Sequence, residues 1–190
     1  MAAPADRPPG RDRVSDLDPA TGPATATSAA WIPAYVGVGS NLGDPRARVV
    51  EAIEALRRLP ASRLVACSPL YRTAPFGPVG QPDFVNAVAG LLTQLGADAF
   101  FAALRNLEAA LGRVRDGARW GPRRIDLDLL VFGSQCRAGE DLQLPHPGIA
   151  ERAFVLHPLR DLAPQLVIPG VGRVEQLAAR LPVTGVERLD

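Results

Sequence analysis

The chain contains no lysine, so all 21 of its basic residues are arginines. A Walker-type phosphate loop needs a lysine beside its glycines, and that class of nucleotide site is therefore excluded. Cysteine is also scarce: Cys67 and Cys136 stand far apart, without the spacing of metal ligands. We expect each cysteine to be a small buried apolar residue rather than part of a redox or metal centre.

Three other features are nearly absent. No apolar run is long enough to cross a membrane, aromatic residues make up 5% of the chain, and the net charge is only +1. Proteins that bind nucleic acid in general carry a clear basic excess, so that class of partner is not expected. The first 33 residues match neither a signal peptide nor a transit peptide. We predict a disordered tail at 1–33, one domain at 34–190, and a monomeric, cytoplasmic protein.

The most informative segment runs from Arg123 to Gly133. It is apolar, short and ended by glycine, which predicts a β-strand. Asp126 and Asp128 lie two positions apart, so both side chains point to one face, with α-carbons roughly 6.5–7 Å apart. Two such carboxylates can converge on a hard cation such as Mg²⁺. Ordinary salt bridges with neighbouring arginines, or the solvated face of an edge strand, are the alternatives.

The segment before this strand, residues 112–124, is rich in arginine and glycine. Its glycines and Gly121-Pro122 predict an irregular loop. Acids that hold a metal beside a cationic loop are typical of a polyphosphate site, because guanidinium groups take the phosphate oxygens that the metal leaves free. The basic residues of this loop are Arg113, Arg115, Arg119, Arg123 and Arg124, against the single acid Asp116.

The order of predicted elements gives the fold class. Hydrophobic periodicity and turn residues predict strands at 34–39, 64–73 (interrupted at Pro69), 84–95 and 123–132, and helices at 45–59 and 97–111. This order, β-α-β-β-α-β, is typical of an α+β ferredoxin-like antiparallel sheet with helices on one side. A C-terminal extension follows, with a minor hairpin and helices near 154–162 and 173–181.

Several segments in series resemble the 6-hydroxymethyl-7,8-dihydropterin pyrophosphokinases of folate biosynthesis. They are residues 35–43, 71–75, 81–86, 112–128 and 145–147, and the resemblance covers roughly 34–169. It implies transfer of the β,γ-diphosphate of ATP to the hydroxymethyl group of a dihydropterin, leaving AMP. It also implies that Asp126 and Asp128 hold two Mg²⁺ ions and that Arg113 and Arg123 are catalytic. Arg119 and Arg124 are interpreted as solvent-exposed loop charges.

The resemblance also implies the two substrate subsites. For ATP it indicates Glu108, Arg115, Trp120, Arg123, Leu129, His146 and Arg152. For the pterin it indicates Thr73, Ala74, Phe76, Phe84, Asn86, Trp120, Asp126 and Phe154, with Trp120 and Phe154 as the stacking pair. The chain departs from the family pattern at Phe84, Asp141 and Pro147, where a tyrosine, a basic residue and an aromatic residue are common.

Two other functions fit parts of the pattern. A ferredoxin-like sheet can read single-stranded RNA, but such modules expose aromatic residues on the sheet, and these strands carry Ile, Leu, Val and Asp. An Asp-x-Asp strand also occurs in other Mg²⁺-dependent nucleotidyl and glycosyl transferases. Release of AMP, rather than pyrophosphate or a nucleoside diphosphate, separates these enzymes from a pyrophosphokinase.

Overall fold

A computed structural model describes residues 1, 30–75, 80–113 and 121–189. Nearly all of the predicted tail lies outside the described residues, and so do Phe76, Arg115 and Trp120 of the predicted site. None of the described helices is both long enough and apolar enough to cross a bilayer.

The first part of the chain follows the predicted order of elements. It contains β1 (Ile32–Ser40), α1 (Pro45–Leu56), β2 (Ser62–Cys67), β3 (Leu70–Thr73), β4 (Phe84–Thr93), α2 (Ala97–Ala110) and β5 (Asp126–Phe132). The strand predicted at 64–73 is divided into β2 and β3 at Ser68-Pro69 because proline cannot donate to a ladder. Asp44 caps α1 by accepting a hydrogen bond from the Ala47 N–H, and Pro45 occupies the first turn.

The C-terminal extension adds further short elements. A 3-10 helix at Ile149–Glu151 precedes α3 (Ala153–Leu162), β6 (Val167–Ile168), β7 (Gly172–Arg173), α4 (Val174–Ala178) and β8 (Val186–Leu189). The predicted minor hairpin is reduced to one antiparallel bridge between Arg137 and Leu144. The last predicted helix is shorter than expected, and β8 was not predicted. The burial predicted for Cys136 is wrong, because this residue is exposed.

Six of the described strands form one antiparallel sheet in the order β5-β1-β4-β3-β8, with β2 paired to β4 beside β3. This order confirms the ferredoxin-like prediction for β1 to β5. β8 extends the sheet by pairing with β3, which places the end of the chain at the sheet edge. β6 and β7 pair with each other in a separate two-stranded sheet.

The two faces of the sheet bury different helices. Val36, Val38 and Leu127 pack against α1 and α2, as the prediction of helices on one side requires. Val88 and Leu130 pack on the other face against α3 and α4, so the C-terminal extension supplies a third layer. Asp126 and Asp128 alternate with residues of the first core, and their side chains therefore face the layer that contains α3.

Candidate active site

Both acids of β5 open into a cavity of about 300 Å³ on the α3 side of the sheet. Its floor comes from the middle of β1 and the first half of β4, and the segment that leads into α3 forms the facing wall. Residues from all these elements line it: Gly37, Val38, Gly39, Thr73, Ala74, Phe84, Asn86, Ala87, Val88, Gly121, Arg123, Asp126, Asp128, Leu130, His146, Pro147, Arg152, Phe154 and Val155. The cavity therefore brings together residues that are distant in sequence.

Asp126 is held between two arginines. The Arg113 guanidinium contacts Oδ1 of Asp126, and the Arg123 guanidinium contacts Oδ2. The Asp126 side chain is 17% exposed, so both ion pairs are shielded from bulk water. Arg113 and Arg123 are thereby concentrated at one end of the acid pair, where they can receive an anionic ligand.

Glu108 anchors this arrangement from α2. Its Oε1 accepts a hydrogen bond from the Leu127 N–H at 2.7 Å and contacts the Arg113 guanidinium. The Glu108 side chain is only 3% exposed, and burial raises the pKa of its carboxyl above the usual range. Glu108 therefore fixes both Arg113 and the start of β5, and it does not line the cavity itself.

Asp128 has looser surroundings than Asp126. The nearest nitrogens of basic side chains are Nη1 of Arg152 and Nε2 of His146, each 3.8 Å from Oδ2, which is too long for a hydrogen bond. Burial and the nearby charge of Asp126 raise the pKa of Asp128 well above that of an ordinary carboxyl. A further positive charge beside Asp128 would stabilise the ionised form of its carboxyl.

His146 is neutral at physiological pH. Burial and the charge of Arg152 lower the pKa of His146 to about 4. Its main-chain N–H donates to the Leu130 carbonyl at 2.8 Å, which ties the 145–147 segment to the end of β5. The ring is a neutral donor and acceptor at the cavity wall.

The opposite wall is formed by β3 and β4. Nδ2 of Asn86 donates to Oγ1 of Thr73 at 2.8 Å, and both residues are buried. Gly39 passes directly beneath: a Cβ added there would lie 2.8 Å from Oδ1 of Asn86. Phe84 and Phe154 supply aromatic surface to the same cavity. A flat polar ring could contact amide groups along its edge and aromatic side chains on its faces here.

Sequence reasoning missed two buried polar residues at the end of β1. Ser40 and Asn41 belong to the segment 35–43 that carries the family resemblance, but neither was predicted as a site residue. Both are at most 1% exposed. Oγ of Ser40 donates to the Arg124 carbonyl at 2.7 Å, and Oδ1 of Asn41 accepts from the Arg123 N–H at 2.6 Å. The signal in the sequence was a pair of polar residues directly after an apolar run. If such residues are buried, they need specific hydrogen-bond partners.

Comparisons with known proteins identify the family of this chain. The model of the 7,8-dihydro-6-hydroxymethylpterin-pyrophosphokinase family matches residues 35–164. A 2-amino-4-hydroxy-6-hydroxymethyldihydropteridine pyrophosphokinase of Pseudomonas aeruginosa is 50% identical over 155 residues, which is 82% of this chain and 95% of the relative. A relative of the same name from Methylorubrum extorquens is 45% identical, over 83% of this chain and 98% of its own length.

The chain belongs to the 7,8-dihydro-6-hydroxymethylpterin-pyrophosphokinase family. It is an ATP-dependent diphosphotransferase, which transfers diphosphate from ATP to hydroxymethyldihydropterin in folate biosynthesis. Among solved structures, a Plasmodium falciparum HPPK-DHPS with pteroate shares its fold, with a TM-score of 0.64 at 13% identity. That match covers 80% of this pyrophosphokinase and 42% of the solved chain, so this chain spans less than half of the larger protein.

The structure gathers most of the predicted site residues of this pyrophosphokinase around one cavity. Those that line it are Thr73, Ala74, Phe84, Asn86, Arg123, Asp126, Asp128, His146, Arg152 and Phe154. Arg113 contacts the cavity residue Asp126, and Glu108 in turn contacts Arg113. Leu129 differs, because its side chain is buried in the core against α1 and α2, and any ATP contact would have to involve its main chain. Of the departures from the family pattern, Phe84 and Pro147 line the cavity, whereas Asp141 is exposed and does not.

The buried position of Glu108 leads to a stability prediction. We expect Glu108→Ala to lower the free energy of unfolding by about 1–3 kcal/mol, because the buried Leu127 N–H and the Arg113 guanidinium would lose their acceptor. Urea denaturation measures this change. The control is Glu108→Gln, whose amide oxygen can still accept from Leu127 and should retain most of the stability. Equal losses in the two variants would show that the hydrogen bond to Leu127 contributes little.

Proposed function

We propose that the diphosphate transfer takes place in the cavity beside β5, with Asp126 and Asp128 as ligands of two Mg²⁺ ions. The observation that carries this proposal is the juxtaposition of a carboxylate pair with the guanidinium groups of Arg113, Arg123 and Arg152. The acids suit cations and the arginines suit phosphate oxygens, so together they match a metal-bound polyphosphate.

The donor set fits magnesium. Within the part of the chain that the structure describes, no group of three or more His, Cys, Asp or Glu side chains could hold a metal ion. A carboxylate pair is sufficient for Mg²⁺, which keeps several waters and takes its remaining ligands from substrate phosphates. Asp128 has an oxygen without a close cationic partner in the described residues, and Asp126 would exchange part of its arginine contact for the metal.

The chemistry assigned to this site is in-line transfer of a diphosphate to a hydroxyl. Bound Mg²⁺ would neutralise phosphate charge and help to orient the attacking hydroxyl. Arg113 and Arg123 would bind phosphate oxygens and stabilise the charge that develops as the bond to AMP breaks. Glu108 positions Arg113, while His146 and Arg152 bind ATP from the facing wall. Arg115, Trp120 and a main-chain contact of Leu129 remain proposed ATP contacts on the resemblance alone.

The pterin is assigned to the end of the cavity between β3 and β4. The amide of Asn86 and the main chain around Thr73 and Ala74 would bind its polar edge. Phe154 would stack on one face, with Trp120 on the other, and Phe84 would contribute apolar wall. Phe76 completes the proposed set from the sequence. The hydrogen bond between Asn86 and Thr73 supports this assignment, because it holds the Asn86 side chain in place against β3 before the ligand binds.

One assay tests the proposed reaction against its rival. The protein is incubated with ATP, Mg²⁺ and 6-hydroxymethyl-7,8-dihydropterin, and the nucleotide products are separated. AMP in equal amount to the dihydropterin diphosphate supports the proposal. Pyrophosphate or a nucleoside diphosphate as the product would instead indicate another Mg²⁺-dependent transferase with an Asp-x-Asp strand.

The pterin subsite gives a prediction at Gly39. Because a Cβ at this position would lie 2.8 Å from Oδ1 of Asn86, Gly39→Ala must displace the Asn86 amide. We expect the KM for the pterin to rise about tenfold or more, as a polar substrate loses a positioned partner, with little change in the KM for ATP. Steady-state kinetics with each substrate varied in turn measure both constants. A larger rise in the KM for ATP would place Asn86 in the nucleotide subsite instead.

We further propose that the chain acts as a monomer in the cytoplasm and binds no nucleic acid. Every proposed substrate contact comes from one copy of the chain, and the net charge of +1 gives little attraction for a polyanion. Light scattering at assay concentration tests the oligomeric state, and activity that requires a dimer would contradict it.

A further inference from the structure

Asn41 lies between the two substrate sides of the cavity without lining it. It follows the end of β1, is 1% exposed, and makes side-chain hydrogen bonds to two separate segments. On one side is Arg123, which contacts Asp126. On the other side are Gln81 and Pro82, just before Phe84 begins β4.

The hydrogen bonds of Asn41 fix its amide in one orientation. The Arg123 N–H can only donate, and Oδ1 of Asn41 accepts from it at 2.6 Å. The Pro82 carbonyl can only accept, and Nδ2 donates to it at 3.2 Å and to Oε1 of Gln81 at 3.3 Å. The Asn41 N–H also donates to the Arg123 carbonyl at 3.0 Å. The side chain at this position must accept at one end and donate at the other, and the Asn41 amide does both.

We propose that Asn41 is a positioning residue that couples the binding of the two substrates. The proposal rests on the function assigned above, in which Arg123 binds the phosphates and Phe84 lies in the pterin wall. Ligand contacts that hold Arg123 in place would, through Asn41, also hold the start of β4 in place. After one substrate has bound, the other would bind a cavity that is already ordered and would lose less conformational entropy. This difference in binding free energy is the coupling free energy between the two sites.

The test compares the wild-type enzyme with Asn41→Asp. The aspartate keeps the shape and the acceptor toward the Arg123 N–H, but its carboxylate cannot donate to Pro82 or Gln81. Pterin affinity is measured by titration calorimetry with and without a non-hydrolysable ATP analogue and Mg²⁺. The ratio of the two dissociation constants is the coupling factor, for which about 5- to 150-fold is typical of coupled sites.

We expect the coupling factor to fall close to one in Asn41→Asp, while the affinity for either ligand alone changes by less than about threefold. We also expect kcat to fall about 10- to 100-fold, since a displaced reacting group can cost a factor of this size. The matched control is Ser40→Ala. Ser40 is equally buried and is hydrogen-bonded to the Arg124 carbonyl, and its side chain makes no hydrogen bond to the described residues just before β4. The control should keep the wild-type coupling factor.

Wild-type coupling in Asn41→Asp would overturn the inference, and so would an equal loss of coupling in Ser40→Ala. A wild-type enzyme that forms AMP without any coupling would also overturn it. If Asn41→Asp does not fold, Gln81→Ala removes one acceptor of the same amide, and an unchanged coupling factor there would contradict the proposal. Failure of the proposed function is seen separately, because the wild type would then release no AMP in the presence of the pterin.

Discussion

Replacing Asp128 by Asn is expected to lower turnover by about 10³-fold or more, the effect of removing several kcal/mol of metal-dependent stabilisation. The same change should leave the free energy of unfolding unchanged or raised. Asp128 lies beside Asp126 with its side chain 36% exposed, and the nearest positive charge, on the Arg152 guanidinium, is 3.8 Å away. Its charge therefore opposes folding in the absence of metal, although it serves the proposed reaction. Asp128→Ala should show the same loss of turnover.

AMP release at saturating ATP, pterin and Mg²⁺ measures turnover, and urea denaturation measures stability. The control is Asp98→Asn on α2, whose side chain is 74% exposed and pairs with Arg137. Since exposed ion pairs contribute little, this control should change stability by no more than about 1 kcal/mol, and its turnover should remain near that of the wild type. Near-normal turnover in Asp128→Asn would refute the role of Asp128 as a metal ligand.

Arg113→Ala is expected to lower kcat by about 10³- to 10⁵-fold, the range for an arginine that acts on a phosphoryl-transfer transition state. ATP affinity should fall much less, by under about tenfold, because Arg123, Arg152 and the metal would still hold the phosphates in the ground state. In the structure Arg113 is held by Glu108 and Asp126, so it is already directed toward the acid pair before substrate binds.

Single-turnover kinetics together with equilibrium binding of an ATP analogue separate these two effects of Arg113→Ala. Arg124→Ala is the control, because Arg124 belongs to the same segment and its side chain lies against Gly112 rather than in the cavity. We expect it to retain turnover within about threefold, as for other surface substitutions of small effect. Equal losses of kcat and ATP affinity in Arg113→Ala would indicate electrostatic docking of ATP instead of a role in the transition state.

Local sequence patterns were sufficient for most of the sheet and for the acid pair. The alternation around Asp126 and Asp128 placed both acids on one face, and the cavity lies on that face. The spacing of apolar residues predicted α1 and α2, and Pro69 predicted the interruption between β2 and β3. These features depend on periods of two or 3.6 residues, which neighbouring residues determine by themselves.

Contacts between distant segments could not be predicted from local sequence patterns. β8 is a short strand that exists because β3 offers it an edge, so its own sequence gave no strong signal. The two buried polar residues at the end of β1 have partners, Arg123, Arg124 and Pro82, that are distant in sequence and meet them only in the folded chain. For Leu129, the resemblance indicated an ATP contact, but the alternation of β5 places its side chain in the core.

The sequence by itself determined the chemistry of this protein: an acid pair on one strand, an arginine-rich segment before it, and a set of motifs that matches one family. These are properties of residue type and short spacing. Only the tertiary structure decided which helix layer covers the acids, how Glu108 holds Arg113, and that Asn41 joins the two sides of the cavity. The contacts of Asn41 depend on where segments more than 40 residues apart meet, since Asn41 and Arg123 are separated by 82 positions, and local periodicity carries no information about those meetings.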